Sequence, residues 1–392
     1  CLSLKMRFTL SVISLFAILN TSYCRVTFDK SEVIDNLDLS QDSYSTPFRC
    51  SKGCKVFTPT ENSALQIFYD NGTSIFKFDE ISRNPASNPC VLPGGDYYIQ
   101  NTANITIPFV FYSKETGAEN YDTKVFLHKY DIAMVKDDFN DQRITILSNA
   151  GGFSLYSITP PSKQNLPIVY AIGADSIRKN TCKPIFKSRS VDNARTTKVI
   201  VNGPIATIDF GVASSTNSFA IDRNTELENT LAGASTIYVS PGYVGCSDIS
   251  DLYTTSTVVM MYNSFTMSDT NGLSVDLEGQ YNMIGNDSSV TLTIDEDVMK
   301  LTGKNSISKH YDSNTVKIGI NYVKSDSASN FAFQIDVAKK NGDSIASTTT
   351  VKPGNVPTTT KKGGNAESTT TKGSSTKDVH FHVGSVVDSC AL

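Results

Sequence analysis

Histidine is scarce in this chain, with four residues in 392. His128 follows an apolar run, His310 sits in a polar, turn-like stretch, and His380 and His382 flank Phe381. The pair in "HFH" falls short of the roughly three or four ligands that hold zinc, so no metal set is assigned. A Ser-His-Asp hydrolase of the common kind needs a Gly-x-Ser-x-Gly elbow, whereas Gly152-Phe153-Ser154 runs on into Leu155 and Tyr156. Phosphate loops are missing too. The glycine pairs of "LPGGDYY" and "NAGGFS" are followed neither by Lys-Ser/Thr nor by a helical pattern.

An excess of charge of either sign is also lacking. The 35 basic and 39 acidic residues are interspersed, which gives no field to gather nucleic acid or anionic lipid. Sustained helical periodicity is absent, and only "IDRNTELENTLAG" has room for a short helix. Beyond residue 24 no apolar run approaches the roughly 18 to 20 residues that cross a bilayer, so no transmembrane segment is expected. The end, "VHFHVGSVVDSCAL", is too short and too polar for a lipid-anchor signal. These absences leave no cofactor to assign, and a partner has to be met by local surface.

What the chain has is β-forming sequence. Runs of four to eight residues rich in Tyr, Phe, Val, Ile and Thr are separated by Gly, Asn, Asp, Ser and Pro, as in "TKVFLHKY", "RITILSNAGGFSLYSI", "TKVIVNGPIATIDF", "STVVMMYNSF" and "SSVTLTIDEDVMKL". This is an all-β pattern. Met6, Arg7 and the apolar run from Phe8 to Leu19 read as a secretory leader covering residues 1–24, with a mature start near Arg25. Six cysteines then remain, Cys50, Cys54, Cys90, Cys182, Cys246 and Cys390, an even number that in a secreted chain points to disulfides. Their connectivity stays open, with the "CSKGC" region expected to be tied to Cys90. Asn71, Asn104 and Asn286 each head an Asn-x-Ser/Thr glycosylation site beyond the leader.

"IFYDNGTSIF", residues 67–76, places Asp70 before Asn71 and Gly72 and, with "ATIDFGVASS" and its Asp209 and Gly211, raises the two-carboxylate chemistry of an aspartic protease. That chemistry needs a hydroxyl residue directly after each Asp, where Asn71 and Phe210 stand instead. Asn-Gly between "LQIFY" and "SIFKF" is a strong hairpin signal, and a glycosylation site belongs on an exposed loop. The stretch is therefore read as a surface turn, and no catalytic residue is assigned. The aromatic residues Phe68, Tyr69, Phe76, Phe78, Tyr97 and Tyr98 lie in strand-like runs and are expected to pack in the core or across strands. The alternative reading is a carbohydrate-binding face that uses some exposed Tyr among them.

The body also lies over itself at an offset of about 140 to 170 residues. "ALQIFYDNGTSIFKFD" meets "TIDFGVASSTNSFAID", and "ITILSNAGGFSLYSI" meets "VKIGINYVKSDSASNFAFQIDV". Two homologous β-domains are expected, at 25–190 and 195–340, separated by the polar stretch "KSRSVDNARTTK". From 344 to 378 the chain turns to Thr, Ser, Lys, Gly and Pro, which cannot bury enough surface to order itself. It reads as an O-glycosylated stalk, followed by a tail at 379–392.

The closing segment of each half, a strand, a small or polar turn, and then "GGFSLYSI" or "SNFAFQIDV", resembles the last two strands of CUB domains. The likeness is nearest to the divergent CUB-like domains that nematodes secrete. In that family a final aromatic residue after the turn opens the strand that closes a jelly-roll sandwich, and Phe153 and Phe331 match that place. The resemblance implies two tandem jelly-roll sandwiches and a secreted, non-enzymatic binding or adhesion glycoprotein. Its setting would be the extracellular matrix or host defence (innate immunity), with a protein or glycan ligand. The acidic calcium cluster of standard CUB domains has no residue-by-residue match here. The alternatives are a hydrolase on a β scaffold, using Asp70 and Asp209, and a structural component of cuticle or mucus.

Overall fold

The structure is a computed structural model. It describes residues 26–28, 32–39, 48–83, 89–116, 123–129, 132–136, 141–149, 152–173, 182–227, 235–243, 259–324 and 329–340. The leader, Cys246, the Thr/Ser-rich segment 344–378 and the tail with Cys390 lie outside the described residues. The expected all-β class holds, and the strands are arranged as β-sandwiches. Among the described residues no helix is long and apolar enough to cross a membrane.

Residues 26–116 carry β1 (Val26–Phe28), β2 (Glu32–Leu39), β3 (Phe48–Cys50), β4 (Cys54–Phe57), β5 (Leu65–Tyr69), β6 (Ser74–Lys77), α1 (Phe78–Arg83), β7 (Cys90–Leu92), β8 (Gly95–Asn101) and β9 (Ile107–Glu115). They make two sheets, ordered β1-β3-β8-β5-β6 and β2-β9-β4-β7. Aromatic rings fill the space between them. Phe48 lies 5.4 Å from Phe111, and Phe78 lies 5.5 Å from Phe109 at right angles. Such pairs add about 0.5–1.5 kcal/mol each beyond the area they bury.

The turn between β3 and β4 joins the two sheets, and Cys50 and Cys54 close it as a disulfide with their Cα atoms 5.6 Å apart. Gly53 makes the reversal in a left-handed conformation (φ +96°), where a Cβ would meet the Leu92 carbonyl oxygen at 3.0 Å. The expected tie between this region and Cys90 is therefore not made. In register Cys90 faces Val56, two residues along β4 from Cys54, and its disulfide is with a cysteine other than these two; Cys182 is disulfide-bonded as well.

The chain continues with β10 (Thr123–His128), β11 (Ile132–Lys136), β12 (Arg143–Ser148), β13 (Phe153–Thr159), β14 (Ile168–Tyr170), β15 (Phe186–Lys187), α2 (Val191–Thr196), β16 (Lys198–Val201), β17 (Ile205–Asp209), β18 (Ser218–Asp222) and β19 (Ser235–Val239). It ends in β20 (Val259–Met283), β21 (Ser289–Ile294), β22 (Asp297–Leu301), β23 (Gly303–Lys324) and β24 (Asn330–Lys339). One sheet runs β10-β12-β17-β14-β15, and a long sheet runs β11-β18-β13-β16-β19-β24-β20-β23-β21-β22. β12 pairs with β17, and β13 pairs with both β16 and β18.

Strands from both sides of residues 190–195 are thus hydrogen-bonded neighbours, and the expected division falls inside two sheets. The polar stretch read as a linker is largely α2. The Ser190 hydroxyl caps it by accepting from the Asn193 N–H at 3.0 Å, and Ala194 is fully buried. The segments matched in the repeat take different places: 64–79 gives the hairpin β5–β6 in one sheet, whereas 207–222 gives β17 and β18 in two. In the stretch with room for a short helix, residues 221–227 carry the end of β18 and irregular chain.

Several strands are apolar on both faces and divide their side chains between cores. On β12, Ile144 and Ile146 join one cluster while Leu147 joins another with Phe57, Val110 and Tyr112 of the first sandwich. On β16 and β19, Val199, Val201, Ile237 and Val239 face the sheet of β12, while Ile200 and Tyr238 pack with Phe331 and Phe333 in the core closed by β20–β24. Strands covered on both sides read as continuous apolar runs, as "KVIV" and "STIYV" do. Truncating Ile208→Ala in this interior is expected to cost about 2–5 kcal/mol, read as a lower denaturant midpoint. Tryptic nicking at Arg189 or Arg195 should leave both fragments in one particle on gel filtration; two separable folded halves would restore the division at residue 190.

Candidate functional site

The hairpin β5–β6 is built from its tip inward. The Gly72 N–H donates to the Tyr69 carbonyl and the Tyr69 N–H to the Thr73 carbonyl, both at 2.9 Å. Gly72 takes φ +85°. This is a three-residue loop, a turn followed by a glycine bulge. The Thr73 N–H donates to the Asn71 side-chain oxygen at 3.0 Å, and Asp70, Asn71 and Gly72 are all exposed. Asn104 and Asn286 are exposed in turns as well, so each expected glycosylation asparagine is open to solvent.

Behind the tip, strand alternation sorts the residues of the first sheet. Leu65, Ile67, Phe48, Tyr97 and Ile99 are buried inward. The opposite face carries Gln66 across from Gln100, Phe68 across from Tyr98, and Arg49 across from Asp96. The Phe68 and Tyr98 rings stack at 5.5 Å with only 6° between their planes, and both are half-buried. Arg49 grips Asp96 with two parallel bonds of 2.7 and 2.8 Å, and the Ser74 hydroxyl donates to the Gln66 side-chain oxygen, Oε1, at 2.9 Å. A flat aromatic pair bordered by amides and a guanidinium–carboxylate fork offers π faces and directional hydrogen-bonding groups together.

The two aspartates of the protease reading are not brought together. Asp70 is exposed at the hairpin tip of one sheet, whereas Asp209 is buried on β17 of another. The Asp209 carboxylate accepts from Arg143 Nε at 2.7 Å, the Gly211 N–H at 2.8 Å and Gln142 Nε2 at 3.3 Å. It serves as a structural anion. His128, which follows an apolar run in the sequence, is buried at the end of β10 with its Nδ1 3.1 Å from the Ser148 hydroxyl and its ring edge-on to Phe153. His310 lies within β23 rather than in a turn, directly opposite Asp276, with Nδ1 2.6 Å from that carboxylate and Nε2 3.5 Å from Asp312. The Asp276 hydrogen bond, chiefly, raises the His310 pKa above its ordinary value of 6.5. Among the described residues no three His, Cys, Asp or Glu side chains are grouped to hold a metal.

Sequence reasoning missed Arg143 as the partner of Asp209, because 66 positions separate them and only strand pairing reveals their alignment. The outer-face residues were within reach, since Gln66 and Phe68 alternate with apolar Leu65 and Ile67.

No family model and no curated protein matches this chain. Among solved structures, it is similar to the CUB1-EGF-CUB2 domains of rat MASP-1 at 10% identity and a TM-score of 0.17, over 55% of this chain and 99% of that one. It is similar to the VP2 subviral particle of infectious bursal disease virus at 9% identity and a TM-score of 0.15, over 79% and 71%. At these scores neither superposition fixes a family or a ligand.

Replacing Asp209 by Ala removes the carboxylate that faces the buried Arg143 guanidinium and is expected to cost about 3–5 kcal/mol, measured by urea unfolding. For His310 a raised folded-state pKa stabilises below its unfolded value of 6.5, and that contribution disappears as pH rises through the folded value. The ring is 57% exposed, so solvent screens the effect. Asp276→Asn should return the ring titration towards 6.5 in a proton NMR pH series.

Proposed function

We propose that this chain is a secreted, N-glycosylated, non-enzymatic binding protein of CUB-like kind, and that the outer face of its first sheet meets carbohydrate. The observation that carries the reading is the stacked pair Phe68–Tyr98, half open to solvent between Gln66, Gln100 and the Arg49–Asp96 fork. One face of a sugar ring presents C–H groups that suit the negative face of an aromatic ring, and its hydroxyls need partners that amides and charged forks supply. Oxidised cysteines favour an extracellular setting, as do the leader sequence and three exposed glycosylation asparagines. The buried Phe153 and Phe331, at the starts of β13 and β24, fit the closing role that CUB-like sequences give them. The segment 344–378 would act as an extended stalk.

A hydrolase using Asp70 and Asp209 is disfavoured by the separation of the two carboxylates and by the donors already spent on Asp209. The discriminating experiment applies full-length secreted protein to an array of immobilised glycans. Binding to at least one glycan class is expected, and Phe68→Ala with Tyr98→Ala should weaken it at least about tenfold, the loss of roughly 1.4 kcal/mol, while the melting curve stays cooperative. Val298→Ala, on exposed β22, should leave binding unchanged. Absence of glycan binding, or equal binding by the double variant, would overturn the proposal; capture of an extracellular protein through the same face would redirect it to a protein ligand.

A further inference from the structure

We propose that the first sugar of a glycan on Asn71 packs against the ring of Tyr69, so that glycosylation fastens the corner of the first sheet. This rests on reading the chain as N-glycosylated. The glycan would be joined through Asn71 Nδ2, which bonds to C1 of a sugar from a lipid-linked pyrophosphate donor as the lipid pyrophosphate leaves and an amide proton is lost.

Three observations place the sugar. Tyr69 and Thr73 close the loop through the Tyr69 N–H and the Thr73 carbonyl, and Asn71 stands two residues from each. Strand alternation sets Tyr69 on the side of the hairpin opposite Phe68, and Tyr69 and Thr73 stand across from each other at the two ends of the loop that carries Asn71 at its centre. The Asn71 side-chain oxygen accepts from the Thr73 N–H, which fixes the amide and leaves its nitrogen outside that bond.

The ring is also prepared for such a contact. Tyr69 is half-buried, with the fully buried Tyr97 ring 5.1 Å away on one side, and Tyr97 in turn donates its hydroxyl proton to the Pro93 carbonyl. A ring anchored on its inner side loses little freedom when its open side is covered. The C–H face of the sugar meets the π face of Tyr69, with Thr73 across the loop closure beside it. Gly72, with nothing within 4 Å of the place a Cβ would take, leaves the approach unobstructed.

The test uses the full chain secreted from eukaryotic cells. Peptide mapping first gives the occupancy of Asn71. Endoglycosidase trimming to a single sugar should leave its N-acetyl methyl signal shifted upfield in proton NMR by the Tyr69 ring. Amidase removal of the glycan turns Asn71 into an aspartate, which still accepts from the Thr73 N–H. That removal should lower Tm by about 2 °C or more, and the drop should vanish in Tyr69→Ala and persist in Phe68→Ala. If Tyr69→Ala is not secreted, the NMR signal of the unsubstituted protein decides. An unmodified Asn71 would defeat both this proposal and the glycoprotein reading at this site. Full occupancy with no upfield shift, or a Tm drop that survives Tyr69→Ala, would defeat the contact and leave the glycoprotein reading standing.

Discussion

The ion pair of Arg143 and Asp209 holds the interior in register. β12 and β17 are buried on both faces, and on them Arg143 lies directly opposite Asp209 as Thr145 lies opposite Thr207. The polar pairs are therefore matched across a single antiparallel ladder. A slip of one residue would set Arg143 against Ile208 and Thr145 against Ala206, turning each apolar set to the wrong core and leaving a buried guanidinium and carboxylate without each other. The Thr207 hydroxyl donates to the Ile172 carbonyl at 2.6 Å, so its proton is spent, and in the 2.9 Å contact between the two threonines Thr145 must be the donor. Hydrophobic packing alone is tolerant of small shifts. These two polar pairs are not.

With that ladder fixed, its apolar side chains are divided between two cores. Leu147 and Ile205 present an apolar surface to Phe57, Val110 and Tyr112 of the first sandwich. Ile144, Ile146 and Ile208 present another to β13, β16 and β19, and Ile200 and Tyr238, on the far side of those strands, seat Phe331 and Phe333. Burial is thus passed from sheet to sheet, and the surfaces free for recognition are pushed to the outermost faces. This ordering also explains why Asp209, which resembles a catalytic aspartate in sequence, is used as an internal anion: it stands in the middle of the relay.

The legible parts of the sequence were those governed by neighbours a few residues apart. Alternation in "LQIFY" and the Asn-Gly at the tip specify β5–β6, and the runs "KVIV" and "STIYV" specify strands covered on both sides. Effects carried over long separations were hidden, among them the Arg143–Asp209 match. The stretch "KSRSVDNARTTK" looked like a linker because it is polar, yet Ser190 followed by Asp192 and later Arg195 carries a short capped helix with a single buried residue, Ala194. "CSKGC" misled for a similar reason: a glycine able to take φ +96° lets the two cysteines meet each other. The apparent repeat arose because half-buried strands alternate alike whichever sheet receives them. His310 was read as part of a turn because an edge segment with both faces largely in water has no apolar period to reveal it.

Two outward faces compete as recognition surfaces, and desolvation separates them. On β20, β23 and β24 and just beyond them, several charged groups are already engaged: His310 with Asp276 and Asp312, Lys339 with Asp269, and Lys340 with Asp312. A ligand there would have to strip water from paired charges, and the penalty often cancels what a new contact supplies. Among the described residues, the outer face of the first sheet carries the pair Arg49–Asp96, set beside the Phe68–Tyr98 rings and two amides. Covering half-open aromatic carbon releases water at a gain, and the amides exchange water for hydroxyl partners at little net cost. The same sheet ends in the Asn71 hairpin, whose Tyr69 points the other aromatic edge of the strand away from that face by simple alternation. A glycan at the tip and a ligand on the face can therefore coexist on five residues of β5, because successive side chains of one strand serve opposite sides.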